Sequence, residues 1–230
     1  MPVVTPSQGK RSVSAITDLI EGRTVARGFL ETARSSPDRV ALRWQDDDGT
    51  WGEWTWSDLA DRVARAAGGL RSHGVGRGDR IVLMMRNCPE FHVLDLAALM
   101  VGATPISIYN SSAPDQIEYL AGHCGAVLGI VEDDGFLARF EPVRAALGNL
   151  RTLGVVRPGQ RAADFTMDDL LAAEPLDLDE AAAEGDPADL VTVISTSGTP
   201  GPPKGVMSSN RNVLFGWESF GVVMVGTDPA

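Results

Sequence analysis

The fold of this chain is decided by residues 80–108, RIVLMMRNCPEFHVLDLAALMVGATPISI. An unbroken apolar run predicts a strand over Arg80–Met85 that is buried on both faces. Pro89 is typical of a first helical turn and predicts a helix that reaches about Val101. Ala103–Ile108 then predicts a second buried strand. A strand, a helix and a further strand at this spacing indicate a βαβ unit, in which the two strands lie parallel.

The alternation of strands and helices continues in both directions. On the carboxyl-terminal side the predicted elements are a helix at Pro114–His123, a strand at Ala126–Val131, a helix at Asp133–Leu147, a strand at Thr152–Val156 and a short helix at Thr166–Ala173. On the amino-terminal side they are a helix at Thr24–Ser35, a hairpin of Val40–Trp44 and Trp51–Trp56, and a helix capped by Ser57. We therefore expect an α/β fold whose mainly parallel sheet is flanked by helices.

Changes in composition divide the chain into four predicted segments. Residues 1–23 are rich in Ser and Thr and are expected to form a flexible arm. Residues 24–173 hold the α/β pattern, and residues 174–189 carry seven carboxylates, which favours an exposed acidic connector. Residues 190–230 are expected to begin an incomplete second subdomain, with a buried strand at Leu190–Ile194, a glycine-rich loop and a helix from Asn210.

Charge and composition exclude several classes of function. The chain has 230 residues and a net charge of −11, which argues against nucleic acid as a partner because phosphate backbones require clustered Lys and Arg. The same charge disfavours electrostatic docking on an anionic membrane, although peripheral membrane contact is left open. No signal peptide is predicted. No transmembrane segment is predicted either, since Phe91–Tyr109, the most apolar stretch, is interrupted by Asp, Gly and Pro. Two distant cysteines, Cys88 and Cys124, favour a reducing compartment, and we predict a cytoplasmic location.

The glycine-rich loop reads Thr196-Ser-Gly-Thr-Pro-Gly-Pro-Pro-Lys-Gly205 and lies between the predicted strand and helix. Such a loop suits polyphosphate because glycines let the main chain approach the oxygens, while hydroxyls, N–H groups and an ammonium supply the contacts. The nucleoside-triphosphatase loop GxxxxGK[ST] is excluded, since Pro203 stands where its second Gly is required and Gly205 where Ser or Thr is required. A surface turn rich in Ser, Gly and Pro remains the alternative on composition alone. The order of the residues favours phosphate binding.

Nine of the ten loop residues match T-S-G-[ST]-[ST]-G-x-P-K-G, the phosphate loop of the adenylate-forming superfamily. The chain resembles this superfamily from about Thr24 to Val225, with further matching segments at Thr55–Leu59, Gly76–Leu83 and Gly102–Ile108. Within it, Asn87–Phe91 and Ile108–Ser112 are most similar to the long-chain fatty acyl-CoA synthetases.

The resemblance implies a two-step reaction that uses ATP and Mg²⁺. A fatty acid carboxylate attacks the α-phosphorus of ATP to give acyl-adenylate and pyrophosphate, and the thiolate of CoA then displaces AMP. The implied ATP-binding residues are Thr196, Ser197, Gly198, Thr199, Gly201, Lys204 and Gly205. The family's acidic Mg²⁺ motif, ribose-binding aspartate and adenylation lysine would fall beyond Ala230, so the 230-residue chain alone is expected to catalyse neither half-reaction. No catalytic or metal-binding residue is assigned within the chain.

Two positions depart from the family pattern. Pro200 stands where the family has Thr or Ser, which removes a hydroxyl and an N–H group. A lost charge-assisted hydrogen bond costs about 1.5–3 kcal/mol, so ATP use is expected to be weaker by about ten- to a hundredfold. Asn210 stands where the family usually has His, and no effect is predicted for it. Two alternatives remain open: an adenylation domain that loads a carrier protein, and a truncated, inactive copy that at most binds nucleotide.

Overall fold

A computed structural model describes residues 13–46, 48–196 and 203–220 of the chain. Its helices are α1 Val13–Leu19, α2 Val25–Ser35, α3 Trp56–Ser72, α4 Pro89–Met100, α5 Pro114–Cys124, α6 Asp134–Phe140, α7 Met167–Leu171, α8 Leu178–Glu184 and α9 Asn210–Phe220, with a 3-10 turn at Arg144–Ala146. Its strands are β1 Val40–Gln45, β2 Trp51–Thr55, β3 Arg80–Met84, β4 Thr104–Ser107, β5 Leu128–Val131, β6 Thr152–Val155, β7 Phe165–Thr166, β8 Leu190–Thr196 and β9 Lys204–Ser209.

The central sheet confirms the predicted parallel α/β arrangement. Its strands lie in the order β4-β3-β5-β6-β7, and each neighbouring pair is parallel. Successive side chains of a strand point to opposite faces, so Ile81 and Leu83 of β3 pack with α3, α4 and α7, whereas Val82 and Met84 pack with α5 and α6. The sheet is therefore covered by helices on both faces, which explains why its strands read as continuous apolar runs.

The amino-terminal hairpin also follows the prediction. Strands β1 and β2 pair antiparallel, and Gly49 in the turn between them has a φ of 86°, which glycine adopts without strain. The rings of Trp44 and Trp54 meet edge to face at 4.9 Å, and the guanidinium of Arg62 lies 4.2 Å above Trp54. These contacts attach the hairpin to α3.

Two predicted helix boundaries were wrong, and each has a local cause. The helix expected over Asp133–Leu147 ends at Phe140, because Pro142 cannot donate a helical hydrogen bond and clashes with the preceding turn. Thr55, rather than Ser57, caps α3. The Thr55 hydroxyl accepts from the Asp58 N–H at 3.1 Å, and the Asp58 carboxylate accepts from the Thr55 N–H at 2.9 Å, which is a capping box.

The acidic segment 174–189 is more ordered than the sequence indicates. It contains α8, whose Ala181 and Ala182 are buried against the core. The helix begins because the Asp177 carboxylate accepts hydrogen bonds from the N–H groups of Asp179 and Glu180. Acidic residues in a first turn also stabilise a helix by interacting with the positive end of its dipole.

Part of the predicted arm also has regular structure. Residues 1–12 lie outside the described residues, but α1 follows them, and both Ile16 and Ile20 are buried. The division into subdomains stays a prediction. Among the described residues, no helix is both long and apolar enough to cross a membrane.

Candidate functional site

Strands β8 and β9 carry the glycine-rich loop as an antiparallel hairpin. Thr196 pairs with Lys204 at its open end, and the Thr196 hydroxyl donates to the Lys204 carbonyl oxygen at 3.4 Å. The two ends of the loop are thereby brought together. The other predicted phosphate-binding residues, Ser197, Gly198, Thr199 and Gly201, lie outside the described residues, as does Pro200. Strand β9 was not predicted from the sequence.

Lys204 is exposed at the first position of β9. Within the described ranges no carboxylate pairs with its ammonium group. An exposed ammonium with no carboxylate partner among the described residues, on the residue that pairs with Thr196, fits the demands of a phosphate group. The next residue, Gly205, has a packing reason to be glycine, because a Cβ there would lie 2.7 Å from Cγ1 of Val193 on β8.

Packing and hydrogen bonds connect the base of the hairpin to the body of the protein. Strand β8 lies beside β4, the outer strand of that sheet, and the buried Thr104 donates its hydroxyl to the Leu190 carbonyl oxygen at 3.2 Å. Arg77 donates to the Asp189 carboxylate at 2.6 Å and to the Glu184 carbonyl oxygen at 2.8 Å. These side-chain contacts set the direction in which β8 leaves the body of the protein.

A cavity of about 380 Å³ lies between the β8–β9 hairpin on one side and α5 with the turn before it on the other. It is lined by Tyr109, Ser112, Asp115, Gln116, Tyr119 and Ser195, among others. The Tyr119 hydroxyl donates to the Pro203 carbonyl oxygen at 2.9 Å on one side of this cavity. Tyr109 belongs to a turn that is closed by the Ser112 N–H and the Tyr109 carbonyl oxygen at 2.9 Å.

The sequence matches the family described as AMP-binding enzyme over residues 29–228. The chain belongs to this family. Its curated relatives include the long-chain-fatty-acid–CoA ligase FadD15 of Mycobacterium bovis, 31% identical over 204 residues that make up 88% of this chain and 34% of that protein. The 4-coumarate–CoA ligase 3 of Oryza sativa is 34% identical over 168 residues, 73% of this chain and 29% of that protein.

A solved structure supports the same assignment at the level of the fold. The anthranilate CoA ligase AuaEII in complex with anthranoyl-AMP superposes with a TM-score of 0.76 at 22% identity, over 87% of this chain and 37% of that one. This chain of an AMP-binding enzyme spans about a third of the length of the two curated relatives named above.

Asn210, which departs from the usual His of AMP-binding enzymes, joins three segments of the chain. Its side-chain oxygen accepts from the Val25 N–H at 2.8 Å, at the start of α2, and its amide nitrogen donates to the Asp186 carbonyl oxygen at 3.0 Å. The residue is buried and also begins α9. Its buried amide therefore uses both its acceptor and its donor to connect these segments, which assigns a structural role that the sequence did not reveal.

A second charged group lies at the carboxyl end of the AMP-binding enzyme's parallel sheet. Glu132, which follows β5, is buried, yet its carboxylate accepts from the Arg86 N–H at 2.7 Å and from the Arg157 guanidinium at 2.7 Å. Hydrogen bonds that the Arg86 guanidinium donates to the carboxylates of Asp133 and Glu132 raise the pKa of Arg86 further above its usual value. The strand order changes direction between β3 and β5, and open α/β sheets often bind ligands at that point. Here the charged groups satisfy one another.

No three His, Cys, Asp or Glu side chains are grouped closely enough to hold a metal ion in the part of the chain that the structure describes. Mg²⁺ commonly binds through one or two carboxylates together with substrate phosphates and water. A magnesium ion at this site would depend on ATP for several of its ligands.

Proposed function

We propose that this chain is the amino-terminal part of an AMP-forming ligase that joins a long-chain fatty acid to CoA. In this proposal the loop of residues 196–205 holds the β- and γ-phosphates of ATP. The observation that carries it is the pairing of Thr196 with Lys204 across the open end of the loop, with the Lys204 ammonium exposed. The hairpin sets a hydroxyl-bearing residue and a lysine opposite each other, although seven residues separate them in the sequence.

The proposed chemistry needs this charge when pyrophosphate leaves. A carboxylate oxygen of the fatty acid forms a bond to the α-phosphorus, and the bond from that phosphorus to the bridging oxygen breaks. Negative charge grows on the departing pyrophosphate, so an ammonium and hydroxyl placed in advance lower the barrier. The sulfur of the CoA thiolate then attacks the acyl carbonyl carbon and releases AMP. We propose that Mg²⁺ enters with ATP and shares the phosphate charge.

The choice of a fatty acid rests on similarity. The relative from Mycobacterium bovis is named for long-chain fatty acids, and its match extends over most of this chain. The relative from rice is named for 4-coumarate, so an aromatic acid is the competing substrate class. Acid-dependent release of pyrophosphate by the enzyme that contains this chain separates the two. Release with palmitate and not with 4-coumarate supports the proposal, and the reverse result contradicts it.

The phosphate-binding step can be tested on the chain itself, because the sequence has two lysines, Lys10 and Lys204. We expect Lys204→Gln to weaken ATP binding about ten- to a hundredfold, since a charge-assisted hydrogen bond contributes about 1.5–3 kcal/mol. AMP binding should change little, because AMP lacks the β- and γ-phosphates. Titration calorimetry with ATP and AMP provides the measurement.

Lys10→Gln is the matched control, because it makes the same change of charge at the other lysine. An equal loss of ATP affinity in both variants would point to net charge rather than to a site and would contradict the proposal. A wild-type chain that binds ATP no more tightly than AMP would do so as well.

A further inference from the structure

The hydrogen bond from Tyr119 to Pro203 links α5 to the last residue before β9, 84 positions further along the chain. We propose that Tyr119 is a positioning residue. Its hydroxyl fixes the orientation of the peptide between Pro203 and Lys204, and so sets the direction of Lys204 at the end of the phosphate loop. The proposal rests on the function proposed above for that loop. No sequence motif marks Tyr119, and its role follows from the backbone geometry of Pro203.

The backbone at Pro203 has one free torsion, and the Tyr119 hydroxyl restrains it. The pyrrolidine ring holds φ of Pro203 near −65°, so ψ alone decides where its carbonyl oxygen points. The peptide that joins Pro203 to Lys204 is planar, so its N–H points away from its carbonyl oxygen. The hydrogen bond holds that oxygen 2.9 Å from the Tyr119 hydroxyl. It therefore orients the whole peptide plane, which includes the N and Cα atoms of Lys204.

Tyr119 can serve as a fixed reference because its own position is well supported. Its ring stacks on that of His123, one turn later in α5, with centroids 5.3 Å apart and planes inclined by 11°. On the other side of α5, Ile117 and Ala121 are buried against the central sheet. The hydrogen bond from this hydroxyl thus attaches the exposed hairpin to a well-packed helix.

The hairpin needs such support because few other side-chain contacts hold this side of it in the part of the chain that the structure describes. Strand β9 is exposed over Lys204–Met207, and the cavity of about 380 Å³ separates Ser195 and Pro203 from the turn that begins at Tyr109. Among the described residues, the Tyr119 hydroxyl provides the hydrogen bond that Pro203 accepts. Pro200, Pro202 and Pro203 lack N–H groups, so a larger share of the phosphate contacts falls on Lys204 and its orientation.

The sequence has two tyrosines, Tyr109 and Tyr119, which supply a test and its control. Tyr119→Phe removes the hydroxyl and keeps the ring. We expect faster hydrogen–deuterium exchange in peptides that cover residues 197–208, and ATP binding weaker by about three- to tenfold, as for the loss of one neutral hydrogen bond. AMP affinity should not change. Tyr109→Phe removes a hydroxyl with no hydrogen bond to the described residues, so hydrogen–deuterium exchange in peptides 197–208 should match the wild type.

Hydrogen–deuterium exchange tests the positioning role, and nucleotide binding tests the phosphate-binding function, so each proposal can fail without the other. Faster exchange confined to residues 197–208, in a wild-type chain that binds ATP no better than AMP, would support the positioning role while the phosphate-binding function fails. Equal exchange in Tyr119→Phe and Tyr109→Phe would overturn the positioning role. So would a rise of similar size in peptides from β3 and β5, because it would show general loosening of the protein. An equal loss of ATP and AMP affinity would also overturn it.

Discussion

The central sheet and the β8–β9 hairpin are made of similar residues but are stabilised in different ways. Strand β3 buries Ile81–Met84 almost completely between two helical layers. Strand β8 also carries four apolar residues, yet Val191 is its buried residue, whereas Ile194 is 51% exposed and Met207 on β9 is 67% exposed. The hairpin is instead attached by side-chain hydrogen bonds from Thr104, Tyr119 and Asn210.

The difference shows how the protein combines a stable framework with an exposed hairpin. Apolar packing on both faces of the sheet supplies stability, roughly in proportion to the area buried. A hairpin covered to the same extent would hide the loop from a polyphosphate. A few directional bonds at the base and near the tip of the hairpin keep it in place at a smaller cost in buried surface. The predictions below test this division between packing and directional bonds.

The largest effect is expected for a core truncation. Phe140 on α6 is completely buried against the central sheet. Phe140→Ala should lower the free energy of unfolding by about 3–5 kcal/mol, because the lost burial and the cavity left behind both count. Met207→Ala in the hairpin is the matched truncation and should stay within about 0.5 kcal/mol of the wild type. Urea unfolding measures both, and equal losses would remove the distinction between the two regions.

A pH-dependent effect is expected within the framework. Burial raises the pKa of Asp95, on α4, from 3.8 to about 6. Below about pH 4 this carboxyl is protonated in both states. Between about pH 4 and 6 the folded protein keeps a proton that the unfolded chain has lost, so stability falls as pH rises, and the full cost is present above about pH 6. Asp95→Asn should therefore add about 1–3 kcal/mol at about pH 8 and little at about pH 4.

Asp18→Asn, on the exposed side of α1, provides the control for Asp95→Asn. Urea unfolding at both pH values gives the comparison. A gain from Asp95→Asn that is the same at both would show that the carboxyl is not held neutral by burial. Burial also lowers the pKa of His92, three residues earlier on α4, so this histidine supplies no counter-charge near neutral pH.

The smallest of these effects is expected where the hairpin joins the framework. Asn210→Ala leaves the Val25 N–H and the Asp186 carbonyl oxygen without their partner, and should lower the free energy of unfolding by about 1–2 kcal/mol. Asn149→Ala, at an exposed position, should be nearly neutral. Thermal and urea unfolding of both variants test this. If Asn210→Ala matched Asn149→Ala, the contact at the base of the hairpin would contribute nothing measurable.

Local patterns were enough to predict most of the framework. Apolar runs such as Ile81–Met84, separated by helices that begin at Pro89 and Pro114, indicated parallel strands and their order along the chain. The early end of α6 was also readable, because Pro142 is a helix breaker within the predicted helix. Helix α8 was missed because its carboxylates indicate an exposed segment by composition, although Asp177 at its start is a good cap.

The sequence predicted the loop of the candidate site but not how its residues are arranged in space. The residues of the loop from Thr196 to Gly205 predicted the family, and they are the residues that we propose bind phosphate. Strand β9 has no alternation of apolar and polar residues, and it forms because β8 lies opposite it. For the same reason, the cross-hairpin position of Lys204 did not follow from the loop residues alone.

The sequence by itself determined the parallel α/β framework, the family and the position of the glycine-rich loop, because periodicity, turn residues and an ordered motif are local properties of the chain. Only the tertiary structure decided how that loop is held. The bonds from Tyr119 to Pro203 and from Val25 to Asn210 join residues 84 and 185 positions apart. A hydrogen bond depends on distance and angle between two atoms, and those become defined only when the helices and strands have packed.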